Sequence, residues 1–266
     1  MYRLCLKHRL ISTIIIAAVL CAAISPMLWK IRSAAWIYAI FYTFFTVLAF
    51  CFVESSSDKL MKSAAEALNN SCDPTILLGE TEEQLKYVKS GVTGQLIVLN
   101  HTVALSYLGE HEKVLEILKS LDVDKYKILS PYRGFVKMIY YNNMSDAFHE
   151  LGNFENASLW HEKTMLAAKK LGAANQKEIV LSKATENLRC KEYEKILETL
   201  ESFKGKTLLD SVCASMVYAK AYIALGNSEK AKEKLSYIIE NGNKLYMVEQ
   251  AKKMLAEIEN PQKTDN

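Results

Sequence analysis

The chain has 266 residues, half of them hydrophobic, and 33 Lys and Arg against 30 Asp and Glu give it a formal charge of +3. Five of the basic residues and none of the acidic ones fall in the first 53 positions, so the rest carries 28 basic against 30 acidic residues. Such a near-neutral body lacks the electrostatic footprint of a nucleic-acid binder. Its cysteines, Cys72, Cys190 and Cys213, are odd in number and widely spaced, with no CxxC, and this argues against a disulfide framework or a structural zinc site.

The first elements are apolar. Residues 10–29 and 34–53 hold no charged side chain, and each is long enough for one crossing of a hydrocarbon layer about 30 Å thick. Between them lies the basic turn Lys30-Ile31-Arg32-Ser33, flanked by Trp29 and Trp36, whose amphipathic indoles suit headgroup depth. A cleaved signal ending near Ala22 to Ser25 is the competing reading. The apolar run continues past that point and a second follows at once, which favours an uncleaved two-span hairpin over residues 1–53. The tail carries Arg3, Lys7 and Arg9, and Lys59 and Lys62 follow the second run, against Lys30 and Arg32 in the turn. The positive-inside rule then puts the N-terminus and the helical domain on the cytoplasmic side, most simply of the cell membrane.

Past the anchor, polar residues 54–58 lead into a predicted helix over 59–69. Asp73-Pro74 caps and starts another that continues to Val88, and Gly91 and Gly94 mark a break. Residues 54–94 therefore read as linking helices. Four similar stretches follow, each ending one helix, turning and starting the next. Their turns are Leu108-Gly109, Leu151-Gly152, Cys190-Lys191 and Leu225-Gly226, at steps of 43, 39 and 35 residues. The glycines suit the left-handed conformation that terminates a helix. Asn153 and Asn227 suit the cap of the next one. A last amphipathic helix over 245–258 caps the array. Asn260-Pro261 ends it, with a disordered tail expected over 260–266.

These junctions resemble the turn between the two helices of a tetratricopeptide repeat. The second copy reads Ser145, Phe148, Leu151, Gly152, Phe154 and Ala157, and the fourth Ala219, Tyr222, Leu225, Gly226 and Ala231. The third, with Cys190-Lys191 for Leu-Gly and Ile196 for the alanine, departs furthest. The resemblance implies an all-α chain in which residues 95–259 form an α-solenoid of antiparallel helix pairs. The concave groove of such an array binds a protein or peptide segment. It places Leu99, Val103, Ser106, Asn142, Asp146, His149, Met216, Lys220 and Ile223 in or near the groove. It does the same for Leu181 and Leu188, the two nearest to a core assignment. The family's grip on a terminal carboxylate uses Lys and Asn, whereas Leu99 and Val103 stand at the first such positions here; apolar anchoring of a partner segment suits this surface better.

No phosphate-binding glycine loop occurs, and the second zinc-binding histidine expected after His161-Glu162 is missing. Neither apolar run holds a charged residue or histidine, so transport or intramembrane catalysis has no evident machinery. The sequence reads as a membrane-anchored binding adaptor with no cofactor, metal, small-molecule substrate or catalytic residue. The alternative is an accessory subunit that contacts an integral membrane complex through its hairpin.

Overall fold

The computed structural model describes residues 2–28, 35–89, 91–124, 133–172, 177–201, 203 and 205–260. Among them it is all-helical, with α1 (Tyr2–Lys7), α2 (Arg9–Leu28), α3 (Ala35–Ser71), α4 (Pro74–Leu85), α5 (Gly91–Tyr107), α6 (His111–Ser120), α7 (Arg133–Glu150), α8 (Phe154–Lys170), α9 (Lys177–Arg189), α10 (Tyr193–Glu201), α11 (Leu208–Ala224), α12 (Ser228–Asn241) and α13 (Met247–Glu259). The basic turn at Lys30 and Arg32 and the tail beyond Asn260 lie outside the described residues.

Among the described residues, one helix is long and apolar enough to cross a membrane, the stretch of α3 from Ala39; the apolar part of α2, Arg9–Ala23, is shorter. α2 packs along α3. The side chains turned inward there are mostly small, with Ala17 and Cys21 on α2 and Ala49 and Val53 on α3. Large apolar side chains face outward instead, among them Ile11, Ile15, Val19, Phe44, Val47 and Phe50. This reverses the order that water imposes on an ordinary helix pair.

α3 continues past Val53 without interruption, and its second half is buried in the helical body through Met61, Ala64 and Leu68. α1 folds back along α3, and Arg3 donates a 2.6 Å hydrogen bond to the buried carboxylate of Glu80. Gln84 donates to the same carboxylate and accepts from Ser57. This polar knot puts the N-terminus at the end of the apolar pair where the body begins.

Asp73 caps α4 by accepting from the Thr75 amide, as the Asp-Pro pair predicts. Gly94, expected as part of a break, lies inside α5; the break falls before Gly91, which takes φ +81° and opens the helix. The last helix starts at Met247, two residues later than expected.

The four predicted turns share one geometry. In each, the third-from-last carbonyl pattern repeats: the amides of Glu110, Asn153, Glu192 and Asn227 donate to the carbonyls of Leu105, Phe148, Asn187 and Tyr222, five residues back. This is the Schellman closure of a helix end. Gly109, Gly152 and Gly226 take positive φ at equivalent points, and Lys191 occupies that point in the third turn with φ +59°. Asn153 and Asn227 cap α8 and α12, accepting from the amides of Asn156 and Lys230. Lys191 bears the Cβ strain that glycine avoids. Lys191→Gly is therefore expected to raise stability by about 1 kcal/mol, measurable as a shift in urea midpoint with unchanged slope.

The hairpins α5/α6, α7/α8, α9/α10 and α11/α12 follow one another, and their cores are shared between neighbours. Leu99, Val114, Leu118 and Met144 centre one, and Ala184, Ile196 and Leu200 another. The largest core is not local. It joins Met61, Leu68 and Leu77 of the expected linking helices to Val212 and Met216 of α11, Leu235 of α12 and Leu245 before α13. The chain's end is also bonded to its beginning: the Lys244 amide donates to the Cys72 carbonyl, the Tyr246 amide to the Tyr107 carbonyl, and Lys244 Nζ pairs with Asp73 at 2.7 Å. α11 packs on α3, which packs on α5. The array is thus closed end to start, where an open curve was expected. The physical reason is that the inner faces of α3, α4 and α11 are apolar and each finds its cover only in the others.

Candidate functional site: the inner polar wall

Closure sets the end of α7 opposite α11, with the end of α5 and the segment before α13 beside them. Of the predicted groove residues, Asn142, Asp146, His149 and Lys220 meet here. Asn142 Nδ2 donates to Asp146 Oδ2 at 2.8 Å. His149 Nδ1 stands 3.4 Å from Glu150 Oε1, and Lys220 on α11 acts on the same Glu150 carboxylate. The spacing explains part of this meeting: Asn142, Asp146 and Glu150 follow at four-residue intervals and share one helix face.

Other predicted residues go elsewhere. Leu99 is buried in the core between α5, α6 and α7, and Met216 in the core that closes the ring. Both are corrected from groove to core, because closure turns their faces toward neighbouring helices. Val103 packs against that same closing core. Ser106 is half-buried, and Ile223 is exposed one turn beyond Lys220. Leu181 and Leu188 pack against the α9/α10 core.

Five participants were not predicted. Glu150 follows His149 directly. Tyr246 reaches Glu150 with its hydroxyl, Tyr107 meets the thiol of Cys213, and the His111 ring lies 5.1 Å from that of Tyr246 in an edge-on contact. The Asp146–Glu150 spacing within one helix was a signal for the first. The rest come from contacts across roughly a hundred residues or more, for which the sequence carries no local mark. Gly109 makes one of them feasible: a Cβ there would stand 3.0 Å from Tyr246 Cβ.

The electrostatics are uneven. Burial raises Asp146 from 3.8 to about 7, reinforced by Glu150 and opposed by His149 and the Asn142 amide. Burial also works against the charge of Glu150, yet His149, the Lys220 cation and the Tyr246 hydroxyl outweigh it and lower the carboxyl from 4.5 to about 2. Burial pushes the Cys213 thiol up to about 12 and raises Tyr246, and it lowers His111. Cys213 is therefore a neutral thiol and no nucleophile at physiological pH. Among the described residues, Asn142 Oδ1 and both nitrogens of His111 are buried atoms without a hydrogen-bond partner. Such atoms are rare in folded chains and call for an explanation. The remaining histidines of the body are tied down: His101 meets Thr81 at 2.9 Å and His161 meets Ser182 at 3.1 Å.

The wall combines paired carboxylates, one lysine and two tyrosines, all partly accessible and crowded by protein. That arrangement suits reversible polar recognition. No protein-family model, curated protein or solved structure matches the chain.

Proposed function

We propose that this protein is a membrane-anchored adaptor that holds a segment of another protein against the inner wall of a tetratricopeptide-like helical array. The observation that carries the reading is the set of buried, unpartnered polar atoms just beneath a partly accessible inner wall. They are costly if nothing ever meets them. The repeated turn geometry supports the family resemblance, and the outward-facing apolar residues of α2 and α3 support burial of this pair in a bilayer; placing both ends on the cytoplasmic side rests on the basic residues that flank the apolar runs. A membrane tether raises the local concentration of a membrane-associated partner, so modest contacts suffice. The continuous α3 fixes the array close to the bilayer, because no flexible linker separates anchor from body.

The second reading, an accessory subunit acting through its hairpin, rests on the polar residues of α3. Thr43 and Thr46 donate back to the carbonyls of Ala39 and Tyr42 on their own helix, at 2.8 Å each. That leaves little directed polar contact for a neighbouring helix. The binding reading predicts that the chain stays in the pellet after alkaline carbonate extraction. It also predicts that a fragment beginning at Ser55 captures the same proteins as the full chain. Release by carbonate rules out the anchor. Capture that needs residues 1–53 favours the accessory subunit.

A further inference from the structure

We infer that the inner wall receives a basic side chain, an arginine or lysine presented by the partner segment, between Asp146 and Glu150 on α7. The inference rests on the binding function proposed above and names its chemistry. The wall has a surplus of acceptors and of negative charge. Asp146 and Glu150 supply two carboxylates, and His149 and Lys220 both act on Glu150. Asp210, engaged in the N-terminal capping box of α11, adds a further negative charge felt by Tyr107 and Cys213.

The unpartnered atoms point the same way. Asn142 Oδ1 is an acceptor only. It sits on the amide whose nitrogen is already committed to Asp146. His111 is buried with 8% exposure, lies against Tyr246 and has no partner at either nitrogen. Neutral imidazole offers one acceptor nitrogen, and burial holds this ring neutral. An anionic ligand would meet two carboxylates and find His149 and Lys220 already engaged with Glu150. An apolar ligand would leave these acceptors unsatisfied. A guanidinium or ammonium group satisfies them, and its several donors match acceptors that converge from α6, α7 and the segment before α13.

Proton state follows from the same neighbours. The groups around Asp146 are Asn142, His149 and Glu150 on its own helix, Tyr107 from α5, Cys213 from α11, and Tyr246, with Asp210 acting on Tyr107 and Cys213 and Lys220 on Glu150. An arriving cation needs the Asp146 carboxylate ionised, so binding strengthens as pH rises through about 7.

The test uses the full-length protein in lipid nanodiscs at pH 8. It is probed with an array of acetylated decapeptide pools, each with one position fixed as Arg, Lys, Glu or Leu. The expected result is retention of Arg- or Lys-fixed pools at least about tenfold above Glu-fixed pools. Asp146→Asn, which keeps the Asn142 hydrogen bond, is expected to remove that preference, while Lys220→Met enhances it by removing the competing cation. Retention in the wild type should also rise several-fold from pH 6 to pH 8. Basic pools that are held no better than the others, or that survive Asp146→Asn unchanged, overturn the inference. Retention of Leu- or Glu-fixed pools alone overturns it while the binding function stands; if the full chain holds no pool of any composition, both fall.

Discussion

Asp146→Asn is expected to make the protein more stable at pH 8, and Glu150→Gln is expected to make it less stable, although the two residues lie one turn apart. The folded chain keeps the Asp146 proton up to about pH 7, whereas the unfolded chain releases it near 3.8. Stability contributed by this group is therefore lost as pH rises between those values and stays reduced above 7. Removing the charge recovers part of that loss, on the order of 2–4 kcal/mol at pH 8. Glu150 has the opposite sign. Its folded carboxyl stays ionised down to about pH 2, against 4.5 when unfolded. Its contribution is full above 4.5 and disappears as pH falls toward 2. Glu150→Gln leaves Lys220 facing an uncharged amide and costs on the order of 2–3 kcal/mol at neutral pH. Denaturant melts at pH 5 and pH 8 separate the cases: the gain from Asp146→Asn should shrink at pH 5, while the loss from Glu150→Gln should persist there. Equal effects of the two variants would contradict the electrostatic account of the wall. A residue whose ionised form costs stability in the free protein is what a binding site for a cation demands.

A fragment of residues 95–259, the repeat region by sequence, is expected not to fold. It lacks Met61, Leu68, Leu77 and Val88, which fill the core shared with Val212, Met216, Leu235 and Leu245. Each such side chain contributes about 1.5–3 kcal/mol by burial. Losing all four removes as much as a typical domain's net stability of roughly 5–15 kcal/mol. It also exposes the apolar faces of α11 and α12. A fragment from Ser55 to Asn266 keeps that core and should give a sharp thermal transition with high helicity. Circular dichroism melts of the two fragments decide the matter: a cooperative transition in the shorter one would show that α3 and α4 are only a linker.

The parts of this fold that the sequence announces are local. The turn pairs near 108, 151, 190 and 225 stand out because a helix stop, a glycine and a cap lie within a few residues. The third turn is legible only by alignment, since Lys191 does with strain what glycine does elsewhere. Asn142, Asp146, His149 and Lys220 were named through the register that the tetratricopeptide resemblance implies. What the sequence hides is closure. No local pattern pairs Tyr107 with Cys213 or Glu150 with Tyr246, and without closure Leu99 and Met216 read as groove when they are core. The packing of the linking helices is hidden for the same reason: α4 shows no strong amphipathic pattern, because it is wrapped by α3, α5 and the closing segment together.

The apolar segment is tied to the body mechanically as well as by sequence. A continuous α3 with Arg3 fastened to Glu80 leaves the array little freedom to swing about its anchor. On the proposed reading, a partner reached through the wall presents its segment near the membrane surface. This favours juxtamembrane stretches, which are rich in basic residues, and agrees with the charge of the wall.

The most direct measurement of the central claim is photo-crosslinking in native membranes from a benzoylphenylalanine placed at Ile223, beside Lys220, compared with one at Phe44 on the outer face of α3. The account predicts that Ile223 captures a protein and that Asp146→Asn abolishes the adduct without loss of the protein from the membrane. Adducts formed from Phe44 alone, or an Ile223 adduct indifferent to Asp146→Asn, would contradict it.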